Sequence, residues 1–153
     1  MAAASRARRA NGTGKTRAVQ RKNDRARPVE ESARKRRAVL IEICQSLPEL
    51  QVCVTGVRKE HRGFSVRKKT FAYHLWDHHG DGRIALWCKA AVGEQGRLVE
   101  EDPRLFFVPP YVGPRGWVGM RLDLPRLNWS QVAILVRSAY RLSASRALAA
   151  RVE

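Results

Sequence analysis

Apolar positions along this chain change their period twice, and those changes mark out its elements. From Pro28 onward, Ala38, Leu40, Ile41, Cys44 and Leu47 recur at helical spacing, which predicts an amphipathic helix. Proline suits the first turn of such a helix, Glu30 and Glu31 oppose the positive end of its dipole, and Pro48 stops it. The period then shortens to two. Val52 and Val54, Phe64 and Val66, Phe71, Tyr73 and Leu75, and Ile84, Leu86 and Cys88 recur at every second position. These stretches predict half-buried strands of an antiparallel sheet. A tight basic turn, Arg67-Lys68-Lys69, separates the second and third, and DHHGDGR, with its Asp81-Gly82 hairpin signal, separates the third and fourth.

Residues 93–102 predict a short helix stopped by Pro103, and FFVPPYVGPRG reads as a Pro/Gly loop. In the strand WVGMRLDL, Trp117, Gly119 and Arg121 share one face while Val118, Met120 and Leu122 share the other. Asn128 with Gln131 has capping-box spacing at the head of a last helix, whose core face is Val132, Leu135, Val136, Ala139 and Leu142. Running from Trp129 to Ala150, that helix would be about 33 Å long. The order helix, β-meander, helix defines an α+β fold in two layers.

Charge divides the chain differently. Of the net +16, the first 37 residues carry 13 Lys/Arg against 3 Asp/Glu, and the rest carry 17 against 11. Before Val29 there are almost no large apolar residues, so this segment cannot offset its conformational entropy by burial. The expected organisation is a disordered basic tail over residues 1–28 and one domain over 29–153. Apolar residues are too sparse at the start for a presequence face or a secretory core, and no apolar run reaches bilayer-spanning length. A soluble, cytoplasmic protein is the expectation.

Within the basic segment the stretch GTGKT resembles a phosphate-binding loop. That loop needs a glycine five residues before Gly14, where this chain has Arg9, and a buried strand ahead of it. A solvated basic segment explains it better. His74, His78 and His79 lack a Cys or carboxylate at ligand spacing, and Asp77 and Asp81 bracket a turn with nothing apolar nearby to raise a carboxyl pKa. Ser138 has no nucleophile-elbow context. Three cysteines, Cys44, Cys53 and Cys88, without a Cys-x-x-Cys pair, predict reduced, largely buried thiols and no structural zinc. The expectation is a non-enzyme without metal or cofactor.

What remains is positive charge beside aromatic residues. Arg62, Arg67, Lys68 and Lys69 gather around one turn, and Lys89, Arg115 and Arg121 come from other strands. Such clusters reward phosphate backbones by releasing counterions. These residues are therefore candidates for contacting nucleic acid, with DNA the expected partner. An alternative is a binding module for a small anionic ligand or a protein, with Tyr111 and Trp117 forming a pocket beside the Pro-Pro loop.

The stretch GFSVRKKTFAYHLWDHHGDGRIALWCKA, then EEDPRLFFVPPYVGPRGWVGMRLD and NWSQVAILVRSAYRL, resembles the MmcQ/YjbR family over roughly residues 32–148. Asp-Pro, paired aromatics, Pro-Pro-Tyr and Gly-Trp-Val in that order carry the likeness. The resemblance implies a frataxin-like (CyaY-like) fold, two helices on one antiparallel sheet, with a basic face proposed to contact DNA. It implies no iron handling here, because the first helix carries ARKRR where frataxin's is acidic. The last helix departs from the family at Ser143-Ala144-Ser145-Arg146, where an apolar residue and a Pro-Lys pair are usual.

Overall fold

The computed structural model describes the backbone of residues 13–152 and the side chains of residues 28–152. It divides the chain into two units, Met1–Ser32 and Ala33–Glu153. Residues 1–12, and with them part of the expected disordered tail, lie outside the described residues.

Helix α1 spans Thr13–Gln45, so it begins well before Pro28, where the apolar pattern places its start. The added turns are rich in Ala, Arg, Lys and Gln, which favour helix without supplying an apolar stripe for periodicity to detect. Pro28 sits inside the helix and gives up one backbone hydrogen bond. In the second unit the buried stripe of α1 is Ala33, Leu40 and Cys44, with Leu47 buried in the turn that follows. Ala38, expected in that stripe, is exposed; the half-buried Arg37 fills the position between Ala33 and Leu40 and donates to the Glu60 carbonyl at 3.1 Å.

A six-stranded antiparallel sheet follows: β1 Leu50–Thr55, β2 His61–Val66, β3 Lys69–Trp76, β4 Ile84–Lys89, β5 Phe106–Phe107 and β6 Trp117–Arg121, in the order β1-β2-β3-β4-β6-β5. Between β4 and β5 lies α2, Glu94–Glu101, close to its expected bounds. The two-residue β5 falls in the stretch read as a loop. Phe106 and Phe107 pair with Met120 and Gly119, a register too short for alternation to reveal.

One face of the sheet carries the main core. Phe64, Val66, Ala72, Leu86, Cys88, Val118 and Met120 pack there with α1 and with α3, Trp129–Ser143. α3 is capped as expected, with the Asn128 side chain accepting from the Ser130 and Gln131 backbone N–H groups. Val132, Leu135, Val136 and Ala139 are buried, joined by Tyr140, while Leu142 is half exposed. The Tyr140 hydroxyl donates to the Pro48 carbonyl at 2.8 Å and ties α3 to the end of α1.

Two strand readings need correction. The β2–β3 register slips next to Ser65, and Phe71 is the extra residue. Phe71 therefore turns into the main core against Tyr140, while Tyr73 and Leu75 lie on the opposite face. Val52 and Val54 are exposed, because β1 is an edge strand that gains little cover, and Cys53 on it is exposed as well. Cys44 and Cys88 are buried, and burial pushes the Cys44 thiol up to about 12.

The last helix stops at Ser143 instead of continuing to Ala150. Ala144 is extended, and Ser145 caps a separate short helix, α4, Arg146–Ala149, by accepting from the Leu148 N–H. The break falls on the Ser-Ala-Ser departure. It lets Leu148 and Val152 fold back into the main core.

Candidate nucleic-acid interface

The second face of the sheet has its own small core. Leu75, Ala85, Trp87 and Trp117 are buried there, with Tyr73, Phe107 and Val112 packed against them. Trp117 stacks on Tyr73, with ring centroids 5.5 Å apart. Phe107 lies across β6 because Gly119 has no side chain; a Cβ there would collide with its ring. The Pro/Gly loop that leads into β6 is fixed by α2, since Gln95 Nε2 donates to the carbonyls of Gly113 (2.8 Å) and Trp117 (2.6 Å).

Strand register sorts the candidate cations. Ala72 pairs with Cys88, Cys88 with Val118, and Lys89 with Trp117, so Lys89, Arg115 and the β2–β3 turn share one end of the sheet. At that turn Arg67 and Lys68 adopt φ of 46° and 66°, the left-handed pair that a two-residue hairpin requires. Arg62 pairs with His74, and Arg121 with Ala85, which puts both toward the other end.

Their partners separate them further. Arg67 forms a two-pronged bond to the Glu49 carboxylate, at 2.7 and 3.0 Å, which holds that carboxyl below the usual range. Arg121 is held in the same way by Asp123. Arg62 donates to the carbonyls of Lys59 and His61. Among the described residues, Lys68, Lys69, Lys89 and Arg115 take part in no ion pair.

A cavity of about 540 Å³ opens at this same end. Lys89, Arg115 and Trp117 line it together with Thr70, Tyr73 and Val112, and none of its lining residues is acidic. So candidates from two different readings, cations for phosphate and an aromatic for a pocket, meet at one place. Tyr111 does not join them. It is exposed, and its hydroxyl lies 3.4 Å from His79 Nε2. Tyr73, Thr70 and Gln95 are the residues that sequence reasoning missed; the aromatic Tyr73 was legible, but only the slip at Phe71 puts it on this face.

The histidines divide in two. His78 and His79 sit in a short 3-10 turn, His78–Gly80, whose shape comes from Asp77 accepting from the Gly82 N–H and Asp81 from the Arg83 N–H. His74, by contrast, is fully buried on β3 on the helix side. Burial, with Arg37 adding to it, pushes its imidazole down to about 3, so it stays neutral. Among the described residues, no group of three or more His, Cys, Asp or Glu could hold a metal ion. Likewise, none of their helices is long and apolar enough to cross a membrane. Gly14, Lys15 and Thr16 of the phosphate-loop-like stretch fall at the start of α1, and Gly12 lies outside the described residues.

The molecule is thus a two-layer α+β protein whose helices cover one sheet face and whose loop-covered aromatic cluster ends in a cation-rimmed cavity. A family model described as YjbR matches residues 45–142, and the chain belongs to that family. Its structure is similar to the crystal structure of Deinococcus radiodurans protein DR2400, which carries a DUF419 domain. The TM-score is 0.56 at 19% identity, covering 72% of this chain and 82% of that one. That likeness concerns the fold. No curated protein matches the sequence.

Proposed function

We propose that this protein binds nucleic acid, DNA foremost, through phosphates and largely without sequence preference, and acts by binding, without catalysing a reaction. The observation that carries the reading is the gathering of Lys68, Lys69, Lys89 and Arg115 at one end of the sheet, each without an ion-pair partner among the described residues. A cation already held by a carboxylate gains little from a phosphate, whereas an unpaired one releases a counterion from the DNA when it docks. The net charge of +16 supports the same reading by steering polyanions to the surface.

The test is fluorescence anisotropy on a labelled duplex at several salt concentrations. Contact with ~6 phosphates by the whole chain gives a log–log slope near −5, or about a thousandfold loss of affinity from 50 to 200 mM salt. Replacing Lys68, Lys69, Lys89 and Arg115 together by alanine should flatten the slope by up to about four units, while Arg67→Ala should change it by less than about one. Scrambling the duplex sequence should matter little. Binding that ignores salt, or that prefers one sequence strongly, would sink the proposal.

A further inference from the structure

We infer that the cavity between Tyr73, Trp117, Lys89 and Arg115 is a nucleotide site, taking one unpaired base together with its phosphate. Its volume of about 540 Å³ suits a small molecule and excludes a duplex. One wall is the half-buried Tyr73, backed by the buried Trp117 on which it stacks, and an aromatic wall accepts any base through its π-face. Lys89 and Arg115 put positive charge on the same lining as that wall, beside Thr70. A duplex keeps its bases stacked inside, so only a free nucleotide or an unpaired residue of a strand presents a ring and a phosphate together.

The neighbouring groove between α2 and α3 sharpens the choice. At about 400 Å³ it is nearly as large, but Glu94 and Glu101 line it and clamp Arg97, each at 2.6 Å. An anion entering there meets two carboxylates. In the nucleotide cavity it meets none.

This inference extends the nucleic-acid reading without depending on it, because a free nucleotide offers the same chemistry as one in a strand. The full chain is titrated with AMP, inorganic phosphate, single-stranded (dT)12 and a blunt duplex, following tryptophan fluorescence and, for labelled oligonucleotides, anisotropy. AMP or (dT)12 should quench tryptophan emission, and inorganic phosphate at the same concentration should not. Quenching by both marks free nucleotides as ligands; quenching by (dT)12 alone marks the strand as the source.

Tyr73→Leu changes no charge and should weaken whichever ligand quenches by about tenfold, the scale of one lost stacking contact, with duplex affinity held within about twofold. Lys89→Met, a side chain of similar length without the charge, should weaken the same ligand and serves if the tyrosine variant fails to fold. Phosphate quenching as strongly as AMP would overturn the inference, as would ligand affinity indifferent to both variants. If salt-dependent duplex binding survives that result, the broader proposal stands alone. If AMP binds through Tyr73 and no nucleic acid binds, the broader proposal falls and the nucleotide site remains.

Discussion

Replacing Trp117 by alanine distinguishes a core residue from an exposed stacking platform. The side chain is 7% exposed and contributes to the second core with Leu75, Ala85 and Trp87. Removing a buried Trp typically costs about 3–5 kcal/mol, and its stacked contact with Tyr73 belongs to that loss. The cover over this cluster includes Val112 of the loop before β6, and a loop can settle into a void more readily than a helix. The lower end, about 3 kcal/mol, is therefore expected. For a domain of this size that corresponds to a fall in Tm of roughly 10–18 °C. Thermal melts by far-UV circular dichroism measure it without relying on tryptophan emission, and urea melts should show an unchanged m-value. Trp117→Phe keeps most of the packing and should lose about 1 kcal/mol. A Tm within about 3 °C of the parent for Trp117→Ala would refute the assignment of Trp117 to the core and make it a surface platform.

Two further outcomes follow from the packing. His74 takes a proton near its ordinary value in the unfolded chain but only near pH 3 when buried, so its share of stability is intact above about pH 6.5. That share drains away toward pH 3, at roughly 1 kcal/mol per pH unit; His74→Leu should flatten the decline between pH 6 and 4 in urea melts, and an unchanged slope would count against the buried neutral imidazole. Gly119→Ala drives a Cβ into the Phe107 ring and should destabilise by about 1–3 kcal/mol. Adding Phe107→Leu should recover part of the loss, and strict additivity of the two changes would mean that position 119 and the Phe107 ring do not meet as described.

The fold was largely legible because its signals are local. Alternation marks Ile84–Cys88 and Trp117–Leu122 on the faces they occupy, and Asn128 caps α3 where its spacing requires. Failures occur where a neighbour decides. Phe71, Tyr73 and Leu75 alternate faithfully, yet the slip in pairing with β2 sends Phe71 to one core and the other two to the second. Val52 and Val54 have the pattern of a half-buried strand, but exposure on an edge depends on what lies over it. Ala38 and Arg37 compete for one position on α1, and the arginine wins by reaching the Glu60 carbonyl, a partner 23 positions away that no helical period encodes.

The site was legible in its residue types and hidden in its pairings. Counting charge ranks Arg67 with Lys68 and Lys69, because all three belong to one turn. The left-handed backbone of that turn instead sets Arg67 against Glu49, which precedes β1, and spends its guanidinium on a two-pronged bond. Arg121 is spent in the same way on Asp123, only two positions on. Lys89 and Arg115 look isolated in sequence, yet strand register and the two hydrogen bonds from Gln95 bring them to the rim of one cavity. Under the proposed nucleic-acid reading, the quantity that sets phosphate contact is not the number of cations but how many lack a carboxylate partner among the described residues and share one end of the sheet. Net charge alone assigns equal weight to Arg67 and Lys69; partner geometry separates them, and the salt slopes of the single alanine variants should follow the geometry, with Lys69→Ala the larger change.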